Sequence, residues 1–421
     1  MASPKVAEAL EAAKNAAELP PALKSVLDDF DSLSSPEHLT TDLIAWADEV
    51  FSLPLGVVGT RSLLSDFIAR LRAHEDHDRW IAVGQHVVRF ISENSPLASS
   101  LVEQLATLRE MVATAHEGNE DFVQAAKVLC EIPLDSSQRR LPDAEKAAVW
   151  IRIVRNFLEE GEFTSAEPYL NKLKNIMHTV DDPVLNLHFR LSAGRIQDSN
   201  RKFLQAAKTY HDLSFSPAIA ESERMHTLAK AIKCAILAPA GPRRSRALGR
   251  LYKDERSVQL REEYPILEKM FFDRLLSADE VAKFAQGLDE HQLATTSDGS
   301  TVLERAVVEH NLLSASRLYT NIGFDDLGLL LGLDGKKAED TTARMIEQGR
   351  LSGWIDQIER IIWFEAGEAS GEKGSGRAEV PVAKEMRRWD GNVQALAEDV
   401  ERLTDAIQAE FPEFVAGRIA A

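Results

Sequence analysis

The chain has 421 residues, 44% hydrophobic and 28% charged, enough apolar material for two or three domains or one extended repeat array. A formal net charge of -18 argues against a nucleic-acid binder, which needs clustered Lys and Arg, and favours protein partners met through defined patches. Two cysteines, Cys130 and Cys234, lie in separate apolar contexts, which is neither a disulfide framework nor a metal box and fits a reducing compartment.

The opening MASPKVAEALEAAKNAAELPP has no basic run followed by an apolar core, so no secretory signal is expected. No window reaches eighteen apolar residues without charge, so no membrane span is expected either. The expectation is a soluble intracellular protein. Apolar residues at spacings of three and four dominate the first 350 positions, where strand signals are almost absent. LTTDLIAWADEVF, LVEQLATLREMVATAH and KAAVWIRIVRNFLEEG all read as amphipathic helices, broken at Gly, Pro, Asn and Asp.

RAHEDHDRW gathers His74, Glu75, Asp76, His77 and Asp78, with His86 further on. It contains no H-E-x-x-H, the spacing a hydrolytic zinc site uses, and is read as a solvated turn.

The breaks between helices recur. EGNEDFVQAAKVL, EEGEFTSAEPYL and QDSNRKFLQAAKTY each place an aromatic after a polar turn, then Ala three residues on, then a large residue four later. The columns are Phe122, Phe163 and Phe203; Ala125, Ala166 and Ala206; Leu129, Leu170 and Tyr210. Trp80 with Val83 and Val87 reads as a weaker copy. A period near forty with two helices per unit is that of a helical solenoid, the small Ala letting paired helices approach.

From Pro242 to Arg261, PRRSRALGRLYKDERSVQLR concentrates positive charge, with Arg243, Arg244, Arg246 and Arg250 foremost. Two readings stand: a solvated helix face with Asp254 and Glu255 paired locally, or a docking patch for an acidic partner.

ATTSDGSTVLERAVVEHNLLSASRLY offers Ser, Thr, Asp, Glu and His in one run. Thr301 followed by Glu304 fits a capping box, with Asp298 and Gly299 making the turn before it. His310 falls on the apolar side with Leu303 and Ala306. Ser300 lies ten residues from it, about 15 Å along a helix, too far for a nucleophile and its base. His310 is therefore expected to be a buried structural histidine. No G-x-G-x-x-G, P-loop or G-x-S-x-G occurs, and neither cofactor nor catalytic residue is expected.

Two short helices near Phe324–Leu331 and Lys336–Gln348 and a hairpin of Gly353–Ile358 with Ile361–Phe364 follow the order of a winged helix. Ile355, Ile358, Ile361 and Trp363 are its candidate contact residues. Its second helix sets Lys336, Lys337 and Arg344 against Glu339, Asp340 and Glu347, a poor balance for a phosphate-facing element. AGEASGEKGSGRAEVPVAK then reads as a flexible Gly/Ser-rich loop. In the last stretch Val393, Leu396, Val400, Leu403, Ile407 and Phe411 keep a heptad-like stripe, expected to pack with helices of other chains rather than fold back.

AGPRRSRALGRLYKDER, YPILEKMFFDRLL, the Ala294–Tyr319 stretch and GRLSGWIDQIERIIWFE together resemble the PCI-domain subunits of the COP9 signalosome. The resemblance runs from about Leu108 to Phe364 and more loosely over the terminal helix, while the first hundred residues match weakly. It implies a mostly α fold, a right-handed helical-repeat (TPR/HEAT-like) solenoid followed by a winged-helix subdomain and a bundle helix. The expected bounds are an arm over 1–200 and a PCI domain over 201–365, helical to about 295 and winged-helix from about 296. A loop over 366–387 and a terminal helix over 388–421 complete the order.

The resemblance further implies a non-catalytic scaffold and recognition subunit of the complex that removes the ubiquitin-like modifier Nedd8 from cullins. Its implied partners are other signalosome PCI subunits, the metalloprotease subunit that carries the zinc, and cullin-RING ligases, in cytoplasm and nucleus. Nucleic acid and membrane are not among them. A PCI scaffold of the proteasome lid or of a translation initiation factor complex is the alternative.

Overall fold

The computed structural model describes residues 3–16, 18–94, 98–134, 141–295, 299–365 and 382–412. The chain divides into two compact units, Met1–Ser199 and Asn200–Ala421.

The first unit is helical throughout its described residues. Its outer part builds a core from Val6 to Met111, in which Trp46 stacks on Phe67 at 5.3 Å and meets Phe51 edge-on. A second core follows, from Ala106 to Ile196, built where Val102–Gly118 pairs with Phe122–Cys130 and Asp143–Glu159 with Phe163–Ile176.

The repeat columns explain that pairing. Phe122, Phe163 and Phe203 are each the first residue of a helix, and Ala125, Ala166 and Ala206 are wholly buried. Leu129, Leu170 and Tyr210 are at most 2% exposed, so the third column is core as well. The backbone before each helix repeats too: Glu120, Gly161 and Arg201 have φ of 63°, 74° and 57°, the left-handed turn that ends one helix and aims the next. Polar bridges join successive first helices. Arg152 donates through Nε and Nη2 to both Glu117 oxygens at 2.7 and 2.9 Å, and Arg195 donates to Glu159 at 2.9 Å. The Trp80 copy is looser. Val83 and Val87 are buried, but Trp80 sits inside the helix His77–Asn94, its indole N–H donating to the carbonyls of Leu71 and His74.

The second unit opens with Phe203–Ser214 against Glu221–Leu237, the latter largely buried from Thr227 on and carrying the buried Cys234. The chain turns at Ala238–Gly241 into the helix Pro242–Tyr252, and shorter helices lead to Val302–Leu318. Thr301 begins that helix with both hydrogen bonds of the capping box, to and from Glu304, after Gly299 at φ 76°. Asp298 lies outside the described residues.

The winged helix has three strands rather than the two its sequence suggests. Strands β1 (Asn321–Gly323), β2 (Gly353–Asp356) and β3 (Ile361–Phe364) form an antiparallel sheet in the order β1-β3-β2. Three residues are too few to show a strand period, and β1 exists because β3 pairs with it across forty residues, Ile322 opposite Ile362. Ile358 lies outside the strands, in the turn that Asp356 Oδ1 holds by accepting from the amides of Ile358 and Glu359. The helices Phe324–Leu331 and Gly335–Glu347 cover the sheet around Leu312, Phe324, Leu327, Met345 and Ile362. Gly328 lets them meet, since a Cβ there would lie 2.7 Å from the Leu333 carbonyl oxygen. The terminal helix runs Val382–Glu410, starting six residues before the expected bound, while the rest of the loop lies outside the described residues.

Candidate interaction surfaces

His310 answers the question of chemistry first. It is wholly buried, its Nε2–H donating to the Arg274 carbonyl at 2.9 Å and its Nδ1 facing Arg244 Nη2 at 3.4 Å. Burial and the Arg244 charge push its pKa down to about 3. The serine that reaches it is Ser314, 3.5 Å from Nε2. Ser314 is itself buried and donates to the His310 carbonyl, and the ring nitrogen it approaches carries the proton. A base needs a free lone pair toward the nucleophile, so this pair is structural.

Arg244 corrects the sequence reading. Rather than joining a surface patch, it is 2% exposed and donates toward the carbonyls of Ala238 and Ala306. Burial lowers its pKa to about 10, against the raising influence of Glu309 and Asp273. Next to His310 on the helix Val302–Leu318, Glu309 takes a forked pair from Arg350 at 2.5 and 3.0 Å, the amide of Ala240 at 3.0 Å and Arg305 at 3.2 Å. Burial pushes the Glu309 carboxyl up, but the Arg350 guanidinium outweighs it and holds the group below the usual carboxylate range. Arg350 closes the second helix of the winged helix, and its Nη1 also reaches the Ala240 carbonyl. This cluster therefore ties the winged helix to the corner between Glu221–Leu237 and Pro242–Tyr252.

The remaining arginines of the proposed patch divide from Arg244 by helical phase. Arg243, Arg246 and Arg250 are exposed, while Arg244 shares the inner face with Leu248 and Leu251. Asp254 is engaged locally as expected, accepting from Arg256 and facing His211. Glu255 is exposed. Around the acidic turn, His86 meets Asp48 at 2.7 Å, Asp76 accepts from the Arg79 amide, and His77 leans on Trp80.

Among the described residues, two of the apolar surfaces expected to meet partners are exposed. On the terminal helix Val393, Leu396, Val400, Leu403, Ile407 and Phe411 are 39–65% exposed. Trp389, missed in the sequence reading, extends that stripe one step back at 68%; its spacing of four from Val393 was the available signal. On the hairpin, Ile355 is half-buried in the winged-helix core, Ile361 and Trp363 are half-buried, and Ile358 is 93% exposed. Trp354, also missed, stacks on Trp363 at 5.5 Å with half its surface free. On the second helix of the winged helix, Lys336, Lys337 and Arg344 alternate with Asp340 and Glu347 on the exposed side. Apolar stripes bordered by mixed charge suit protein contacts.

Comparison with known proteins agrees with this layout. The family model described as PSMD12/CSN4, N-terminal, matches residues 9–222, and that described as PCI domain matches residues 281–366. COP9 signalosome complex subunit 4 of Neurospora crassa is 61% identical over 416 residues, 95% of this chain and 94% of its own. The subunit 4 of Emericella nidulans is 47% identical over 389 residues, 91% of each chain. That of Arabidopsis thaliana is 36% identical over 393 residues, 91% of this chain and 92% of its own.

Proposed function

The chain belongs to the family of COP9 signalosome complex subunit 4, a PCI scaffold, and from that membership we propose how it works in the complex. The helical-repeat arm presents surfaces for recognition of cullin-RING ligases, and the winged helix and terminal helix hold other PCI subunits and the metalloprotease subunit. Removal of Nedd8 from cullins takes place on that other subunit, in cytoplasm and nucleus, and this chain contributes position rather than chemistry.

One observation carries this reading: the exposed seam from Trp389 to Phe411 on a 29-residue helix. A lone helix with a two-in-seven apolar seam has no core of its own, and partner helices are what would cover it. Leucines 65% exposed add little to the free chain, so the seam serves assembly rather than the fold.

The test is affinity purification of the tagged chain from its own cells, with mass spectrometry of what accompanies it. Stoichiometric PCI subunits, a metalloprotease subunit and cullins are expected; proteasome or initiation-factor subunits in their place would move the chain to that alternative. Leu396→Asp with Leu403→Asp should release the chain while leaving its circular dichroism unchanged. Two carboxylates would be buried unpaired in a bundle, at several kcal/mol, roughly a hundredfold or more in affinity. Unchanged co-elution of that variant would refute the role given to the seam.

A further inference from the structure

We propose that the outer face of the Pro242–Tyr252 helix, with the aromatic ledge beside it, is a docking site for an acidic protein segment. This goes beyond the assembly role and does not depend on it. Arg243, Arg246, Arg250 and Lys253 are all exposed. Their spacing of three, four and three puts them on one helical stripe about 15 Å long at 1.5 Å per residue. The helix itself contains no acid.

The cations of this unit fall into two groups, those in ion pairs and those without one, and the four on this helix are set apart by sharing one stripe. Lys233, Arg256, Lys269, Arg305, Arg317, Arg350 and Arg360 each sit in an ion pair. The side chains of Arg243, Arg250 and Lys253, like those of the scattered Lys208 and Lys283, have no hydrogen bond or ion pair among the described residues, and that of Arg246 reaches only its own helix, at the Pro242 carbonyl. In a chain of net charge -18, a stripe of four cations on a helix that carries no acid is a local inversion of the field.

A second observation gives the partner its apolar character. Tyr252, at the end of the helix, stacks on Phe271 at 4.5 Å and Tyr264 at 6.1 Å, with Phe272 edge-on at 5.4 Å. Phe272 is 47% exposed and Arg274 lies over its ring. Gly249 allows this ledge to press against the helix beside the stripe, since a Cβ there would stand 3.3 Å from the Phe271 ring. A segment matching both features carries several carboxylates over about 15 Å and an apolar side chain to lie on Phe272. Nucleic acid fits less well, because a single stripe on a strongly acidic chain repels the rest of the phosphate backbone.

The test uses the full chain and a fluorescein-labelled twelve-residue peptide of Glu pairs separated by Phe, read by fluorescence anisotropy. Saturable binding that weakens with salt is expected. Arg243→Glu with Arg250→Glu should weaken it at least tenfold. Lys208→Glu with Lys283→Glu, the same change of net charge at exposed positions elsewhere in the unit, should leave it within twofold. Thermal melting checks both variants; should the first melt early, Arg243→Gln with Arg250→Gln replaces it, with about fivefold loss expected. The proposal falls if wild type does not bind or if both pairs lose affinity equally. It also falls if the Arg243 and Arg250 variants bind as wild type does, or if a single-stranded oligonucleotide of equal charge binds more tightly than the peptide. None of these readouts involves another signalosome subunit, so failure here leaves the assembly reading standing.

Discussion

Arg350→Met should loosen the winged helix from the helices before it. The substitution keeps the stem and removes the guanidinium that forks onto Glu309, whose side chain is 3% exposed against 12% for Arg350. Removing one partner of a buried pair costs about 3–5 kcal/mol because the other charge stays buried. Glu309 would still keep the Ala240 amide and Arg305, the latter 43% exposed and weakened by solvent. The expected cost is therefore at the low end, about 3 kcal/mol, or roughly a hundredfold more frequent opening.

The pH dependence has a definite sign. In wild type the folded Glu309 pKa is depressed, so its contribution is present above the unfolded value of about 4.3 and is lost as pH falls through the folded value. In the variant burial prevails and raises the folded pKa, so protonation relieves the penalty and the gap to wild type narrows on acidification. Glu309→Gln added to Arg350→Met should recover about 1–2 kcal/mol by removing the stranded charge. Hydrogen exchange of the Val302–Leu318 and Gly335–Glu347 amides in the full chain measures this opening. A loss below about 1 kcal/mol, or a double variant no more stable than the single, would refute the reasoning and leave the apolar core alone holding the subdomain.

Three further outcomes are expected. Ala166→Leu should cost about 1–3 kcal/mol in thermal unfolding by overpacking a wholly buried helix contact, while Thr164→Leu on the exposed side should cost under about 0.5. At the recurrent turn, Gly161→Ala should destabilise by about 1 kcal/mol, and Glu120→Gly, at φ 63°, should be neutral or stabilise by up to about 1, both read from melting midpoints. His310, neutral when folded with a pKa of about 3, contributes stability present above the unfolded value of about 6.5 and lost as pH falls toward 3. Urea titrations at pH 7.5 and 5 should show wild type losing up to about 2 kcal/mol that His310→Gln does not lose; equal losses would refute the assignment.

Much of the fold was legible because its determinants are local. The Phe, Ala and Leu columns recur because each repeat must solve the same packing problem, and the capping box at Thr301 is a bond between residues three apart. The interaction surfaces were legible unevenly. The terminal seam shows as a stripe, and Trp389 and Lys253 could have been added by carrying each period one step further. Arg244 was misassigned by counting charge without phase. Its spacing of four and seven from Leu248 and Leu251 places it on the inner face, and the apolar neighbours at those steps were the signal.

By itself, then, the sequence determined the helical-repeat character, the winged-helix order, the family and the exposed seam, all carried by periodicities within one helix or one repeat. Tertiary structure alone decided that β1 completes the sheet, that Glu309 meets Arg350 forty-one residues away, and that Arg244 lies beneath the surface its neighbours decorate. Such pairings join residues whose local preferences are silent. Burying a charge there requires a partner that only the folded chain can bring within 3 Å.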